Sequence, residues 1–170
     1  MVDGHEHLNR IKCFVVLVFA SIILISTPVV RAEGWNNIYP LKSTRADVEK
    51  ILGKCEDSNS AWNCLYKMKE QNVYISYSIG ESCEKGAVWN VSKGTVDEIS
   101  IYLKDGGIIL RNLKFDLKDF VEEEDYELPG LIHFTNENNG VSFEVRGGFA
   151  KTFRYGPTLE ERKKFVCSKD

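Results

Sequence analysis

The sequence predicts an α+β fold: an antiparallel sheet built from two tandem helix-plus-three-strand units, with short flanking helices and disulfide staples. Three observations carry this expectation. Apolar and polar residues alternate in "WNCLYK" (62–67), "VYISYS" (73–78) and "TVDEISIYL" (95–103), the period-two pattern of strands with one covered face. Short amphipathic stretches with capping residues stand beside them. Cysteines remain even in number once the first 32 residues are set aside.

Those first residues read as a secretory leader. Arg10 and Lys12 precede an uncharged run, "CFVVLVFASIILISTPVV" (13–30), and Val30 and Ala32 occupy the positions that a signal peptidase reads. Cleavage is expected after Ala32, leaving a single exported domain, 33–170, in a periplasmic or extracellular setting. The run is 18 residues long, enough to span a bilayer, so an uncleaved anchor in the inner membrane is the rival reading. Cys13 opens the run instead of closing it, which disfavours a lipoprotein cleavage box. Leader cleavage would remove Asp3, Glu6, Arg10, Lys12 and Arg31, leaving 23 acidic and 19 basic residues and a net charge of −4. Such a surface offers no footprint for nucleic acid or anionic lipid, and no stable membrane span is expected after cleavage.

"STRADVEKILG" (43–53) predicts the first helix. Thr44 is the N-cap, Asp47 reaches back as its capping-box partner, and Gly53 supplies the stop. Val48, Ile51 and Leu52 form its docking face. A helix of about two turns cannot stand alone, so it must dock on the sheet. Cys55, Cys64, Cys83 and Cys167 suit two disulfides, and four cysteines permit three connectivities. A short local loop favours Cys55–Cys64, which leaves Cys83–Cys167 to tie the tail to the middle of the chain.

Two hairpin strands and a third strand after a Gly-rich loop complete the first unit, 41–103. The second unit, 111–156, repeats the pattern. Tyr66 to Phe134, Val73 to Val141, Ile75 to Phe143 and Tyr77 to Val145 share an offset of 68, while Ile99 to Phe153 and Ile101 to Tyr155 share an offset of 54. "LKFDLKDF" (113–120) falls where the second unit's helix is expected. "NNG" (138–140) signals a hairpin turn and "KDGG" (104–107) a turn. In the tail, 157–170, Pro157 and the Thr158–Glu161 capping box predict a short helix that carries Cys167 back towards Cys83.

"STRADVEKILGKC", followed by a strand, a hairpin and a strand after a Gly-rich turn, resembles the module of small outer-membrane-assembly lipoproteins of the BamE or OmlA type. Tandem copies of that module build the β-lactamase inhibitor protein fold. "GAVWNVSKGTV" and the tail cysteine resemble uncharacterised secreted bacterial proteins. The resemblance implies a fold and a binding role, with another envelope or secreted protein as partner, and no reaction.

Chemistry-bearing constellations are sparse. His133 is the one histidine after residue 32 and lies in "GLIHFT", with no acidic residue beside it in sequence; a strand-surface or half-buried histidine is expected, not a general base. The run "EEEDYE" (122–127) holds no glycine of the kind a calcium loop uses, so a solvated linker face is expected. No cofactor and no metal site is expected. Asn90-Val91-Ser92 fits a glycosylation acceptor. Trp89 and Asn90 in the long loop, together with Trp35, are the candidate binding residues, because loop aromatics anchor partners. The functional expectation is a non-catalytic module that binds a protein or an envelope ligand through the exposed sheet face or the Cys83–Trp89 loop. The alternative is a carboxylate hydrolase acting on peptidoglycan or polysaccharide, which requires a cleft with two converging acids.

Overall fold

Helix α1 (Arg45–Leu52) forms where its caps place it. The Thr44 hydroxyl accepts from the Asp47 N–H at 3.3 Å, and the Asp47 carboxylate accepts from the Thr44 N–H at 2.8 Å. Gly53, at φ +88°, ends the helix. Val48 is fully buried, contributing about 1.5–3 kcal/mol by leaving water. Ile51, expected on the docking face, is instead 41% exposed: in so short a helix the stripe that meets the sheet is narrow and runs through Arg45, Val48 and Leu52. The computed structural model describes residues 34–55, 57–60, 62–80, 83 and 88–167, and the expected leader lies outside them.

The strands are β1 (Asp57–Ser60), β2 (Asn63–Lys67), β3 (Gln71–Tyr77), β4 (Val96–Leu103), β5 (Ile108–Ile109), β6 (Val121–Glu124), β7 (Leu131–Asn136), β8 (Val141–Arg146) and β9 (Phe149–Tyr155). They pair antiparallel in the order β1-β2-β3-β4-β9-β8-β7-β6, with β5 pairing β9 off this path. The order reads as the same meander from both ends, joined where β4 meets β9 through Ile99↔Tyr155 and Ile101↔Phe153.

One face of the sheet is covered. Val73, Ile75, Tyr77, Ile99, Ile101, Phe143, Val145 and Phe153 all point into it and are buried. Over the first meander sits α1, whose Arg45 guanidinium lies 4.5 Å from the Tyr77 ring centroid. The second meander is covered by the segment from Leu110 to Phe120, with Phe115 and Phe120 set 5.8 and 5.2 Å from the Phe143 ring.

That segment overturns one expectation. No second α-helix forms over 113–120; two single 3₁₀ turns, Leu110–Asn112 and Leu117–Asp119, take its place. An α-helix would direct Phe115 away from Leu113, Leu117 and Phe120. The looser path packs all four against the core, and Asp116 caps only the one turn that follows it. The chain is therefore mostly sheet and does not show two clear helix-plus-three-strand units. Two edge strands, β1 and β6, were also not expected. β6 recruits Glu122–Glu124 from the acidic run read as a linker; its side chains are all exposed, and their charge discourages further strand pairing at that edge.

The offset between meanders needs one adjustment. Ile75 pairs Cys64 and Phe143 pairs Phe134, so Phe134 takes the place of Cys64, not of Tyr66. A two-residue slip preserves which face each side chain occupies, so apolar matching cannot detect it. It arises because β2 and β3 pair as far as Lys67↔Asn72, whereas β7 and β8 stop at Asn136↔Val141. Gly140 closes the second hairpin at φ +67°, and a Cβ there would sit 2.3 Å from the Gly156 carbonyl oxygen.

Helix α2 (Leu159–Phe165) carries the predicted Thr158–Glu161 capping box. Both expected disulfides are present, Cys55–Cys64 and Cys83–Cys167, with Cα separations of 5.9 and 5.3 Å.

Candidate functional site

Trp89 is half-buried and held in a two-stranded bridge with Val166. The Asn90 N–H donates to the Phe165 carbonyl at 2.6 Å and the Cys167 N–H to the Val88 carbonyl at 3.0 Å. The tail and the loop end are thus laced together beside the Cys83–Cys167 bridge. Asn90 is exposed; residues 84–87 of this loop lie outside the described residues. Trp35 belongs elsewhere. It exchanges backbone hydrogen bonds with Ile38 at 3.0 and 2.9 Å and lines a cleft to which neither Trp89 nor Asn90 contributes. The three candidate binding residues do not form one site.

The cleft containing Trp35 has a volume of about 320 Å³. Its floor is the covered face of the β4–β9 seam: Ile101 and Leu103 from β4, Phe153 and Tyr155 from β9, with Gln71 from β3. Trp35 and the segment Ile108–Phe115 supply the rest, including Leu113, Lys114 and Asn112. In sequence these strand residues read only as core, because alternation cannot show which part of a covered face its covering layer leaves open.

On the opposite face the sheet presents polar and aromatic residues in rows set by register. One row runs Tyr74, Ser100, Arg154, Ser142, Thr135, and the next runs Asn72, Tyr102, Thr152, Glu144, His133. Tyr74 and Tyr102 are 37% and 43% exposed. Arg154 donates to Glu144 at 2.6 Å, and the Ser100 hydroxyl donates to Glu98 at 2.8 Å. A polar pocket of about 60 Å³ opens at one end, where Arg162 of α2 meets Glu98, Thr135 and Arg154.

His133 does have acidic neighbours, contrary to the reading of its sequence surroundings. Its Nε2 lies 3.0 Å from the Asp125 Oδ2, and Glu123 and Glu144 are its cross-strand partners. The His133 bond, with the Leu128 and Glu127 N–H groups, holds the Asp125 carboxyl below the usual carboxylate range. Asp125 thereby fixes the turn into β7. Asp97 is displaced the other way: burial, reinforced by neighbouring Glu98, pushes it up to about 6.

Among the described residues neither cleft brings two carboxylates together: Glu98 is the acid of the small pocket, and none lines the larger one. Among the described residues no group of three or more His, Cys, Asp or Glu is placed to hold a metal ion, and no helix is long and apolar enough to cross a membrane. The two disulfides suit an oxidising, extracytoplasmic environment. No protein-family model, no curated protein and no solved structure matches this chain.

Proposed function

We propose that the protein is an exported, non-catalytic binding module that engages another envelope or secreted protein through the open face of its sheet. The observation that carries this reading is the aromatic content of that face. Tyr74 and Tyr102 lie on adjacent strands, two residue pairs apart in register, and Phe149 is 41% exposed on the same side. Tyrosines on a rigid sheet give large contact area at low ordering cost, and aromatics are enriched where partners dock. The Arg154–Glu144 pair, on the neighbouring strands β9 and β8 of the same face, supplies orientation more than affinity.

Export rests on the leader reading, with cleavage after Ala32; mass spectrometry of the mature protein should find Glu33 at the N-terminus. The tandem plan of the β-lactamase inhibitor protein type is supported by the palindromic strand order and by the 68 and 54 offsets, which hold together in the β3–β4 and β8–β9 registers.

The test is an affinity capture from envelope fractions of the producing cell, with the wild-type domain and a Tyr74→Ser/Tyr102→Ser variant of unchanged melting temperature. A partner enriched by the wild type and lost by the variant supports the reading. Enrichment of none, or equal capture by the variant, removes it.

A further inference from the structure

We propose that the cleft over the β4–β9 seam binds a small amphipathic carboxylate, with its apolar chain against the seam and its acid group at Lys114. This site lies on the opposite face of the sheet from the tyrosines and stands independently of the partner-binding reading.

Size comes first. At about 320 Å³ the cleft falls within the range of small-molecule sites, and it has room for about ten groups at the ~30 Å³ share of one water. Its position follows from the architecture. α1 seats on one meander and the Leu110–Phe120 segment on the other, and the cleft opens between them over seam residues Ile101 and Phe153, which are themselves 4% and 7% exposed. The floor is thus two paired central strands, and a rigid floor lowers the ordering cost of binding.

The lining chemistry selects the ligand. Trp35 and Phe115 in the walls and Phe153 and Tyr155 in the floor make the lining largely aromatic, with Gln71 and Asn112 as its uncharged polar residues, so an apolar chain displaces water there favourably. The charge is one-sided: among the described residues Lys114 is the one cation lining the cleft and no acidic side chain lines it. A cation or zwitterion gains nothing there, and a single exposed ammonium suits a monoanion better than a doubly charged phosphate. Because Lys114 is exposed, the carboxylate stays partly in water and neither charge bears the full cost of burial.

The test uses sodium decanoate, decan-1-ol and sodium butanoate, with binding read by calorimetry and melting temperature. Decanoate should bind one to one with a dissociation constant below about 1 mM and raise the melting temperature, and butanoate should bind markedly more weakly. Lys114→Met should weaken decanoate by up to about fivefold, the range of an exposed ion pair, while leaving decan-1-ol unchanged. Leu113→Trp should abolish binding of both by filling the cleft. Should that variant fold poorly, Ile108→Trp at the rim serves instead. Absence of decanoate binding overturns the proposal, as does equal affinity in the wild type and the filled variants. The Tyr74→Ser/Tyr102→Ser variant should bind decanoate normally, which separates this site's failure from that of the partner face.

Discussion

Asp97 is the extra residue of a bulge: Ser76 pairs Glu98 and Tyr77 pairs Val96, leaving Asp97 between them. One of its carboxylate oxygens is buried without a hydrogen-bond partner, and its protonation is favoured up to about pH 6. The native state therefore holds this proton more tightly than the unfolded chain does. The stability that Asp97 contributes is fully present below the unfolded value near 4 and is lost as pH rises through about 6. Asp97→Asn should raise stability at pH 7.5 by on the order of 1–2 kcal/mol and give no gain at pH 3.5, which thermal melts at the two pH values would check. Phe143 has the opposite character. Its ring lies within 6 Å of those of Phe115, Phe120, Phe134 and Phe153, so Phe143→Ala should cost about 3–5 kcal/mol, read by denaturant titration. Phe143's burial was legible from its place in an alternating strand. The His133–Asp125 contact was not, because Asp125 is folded back by a turn that local sequence does not disclose.

α2 is where local sequence spoke most clearly. Its capping box and its start after Pro157 were readable because a cap is written within four residues. Long-range ties then add to it. Burial pushes the Glu161 carboxyl up, but the Lys42 ammonium at 2.6 Å and the Thr158 N–H and hydroxyl outweigh burial and hold it below its ordinary value. A depressed carboxyl contributes stability above its unfolded value near 4.5 and loses it as pH falls through the native value. Glu161→Gln should therefore lower stability at pH 7 by about 1–2 kcal/mol and by less at pH 3, measured by urea midpoints. The segment 110–120 shows the opposite case. Its apolar residues alternate loosely enough to suit several paths, and only the shape of the phenylalanine cluster beneath selects two 3₁₀ turns over a helix. The edge strands β1 and β6 escaped detection for a related reason: neither "DSNS" nor "VEEE" alternates apolar with polar residues.

At the scale of the whole molecule, the strands of the two meanders pair where β4 meets β9, and both outer edge strands are short and polar in sequence. Amide hydrogen exchange should be slowest in Ile99–Tyr102 and Thr152–Tyr155 and fastest in β6; equal protection across the sheet would contradict a structure organised about the central seam. The identity and face of β2, β3, β4, β7, β8 and β9 were legible in sequence, since burial on one side enforces them. The palindromic order was not, because no local pattern records which strand lies next to β4. The cleft was hidden for the same reason, as it exists only where two covering layers fall short of each other.

The Cys83–Cys167 bridge encloses 84 residues of sequence separation, including the last part of the first meander and all of the second. Its sulfurs meet only after β9 and α2 have reached their places, whereas Cys55–Cys64 can close within a nascent hairpin. Under a reductant the tail keeps its backbone hydrogen bonds to Val88 and Asn90 but loses its covalent tie to Cys83. Oxidation therefore locks an arrangement that the fold has already brought within reach.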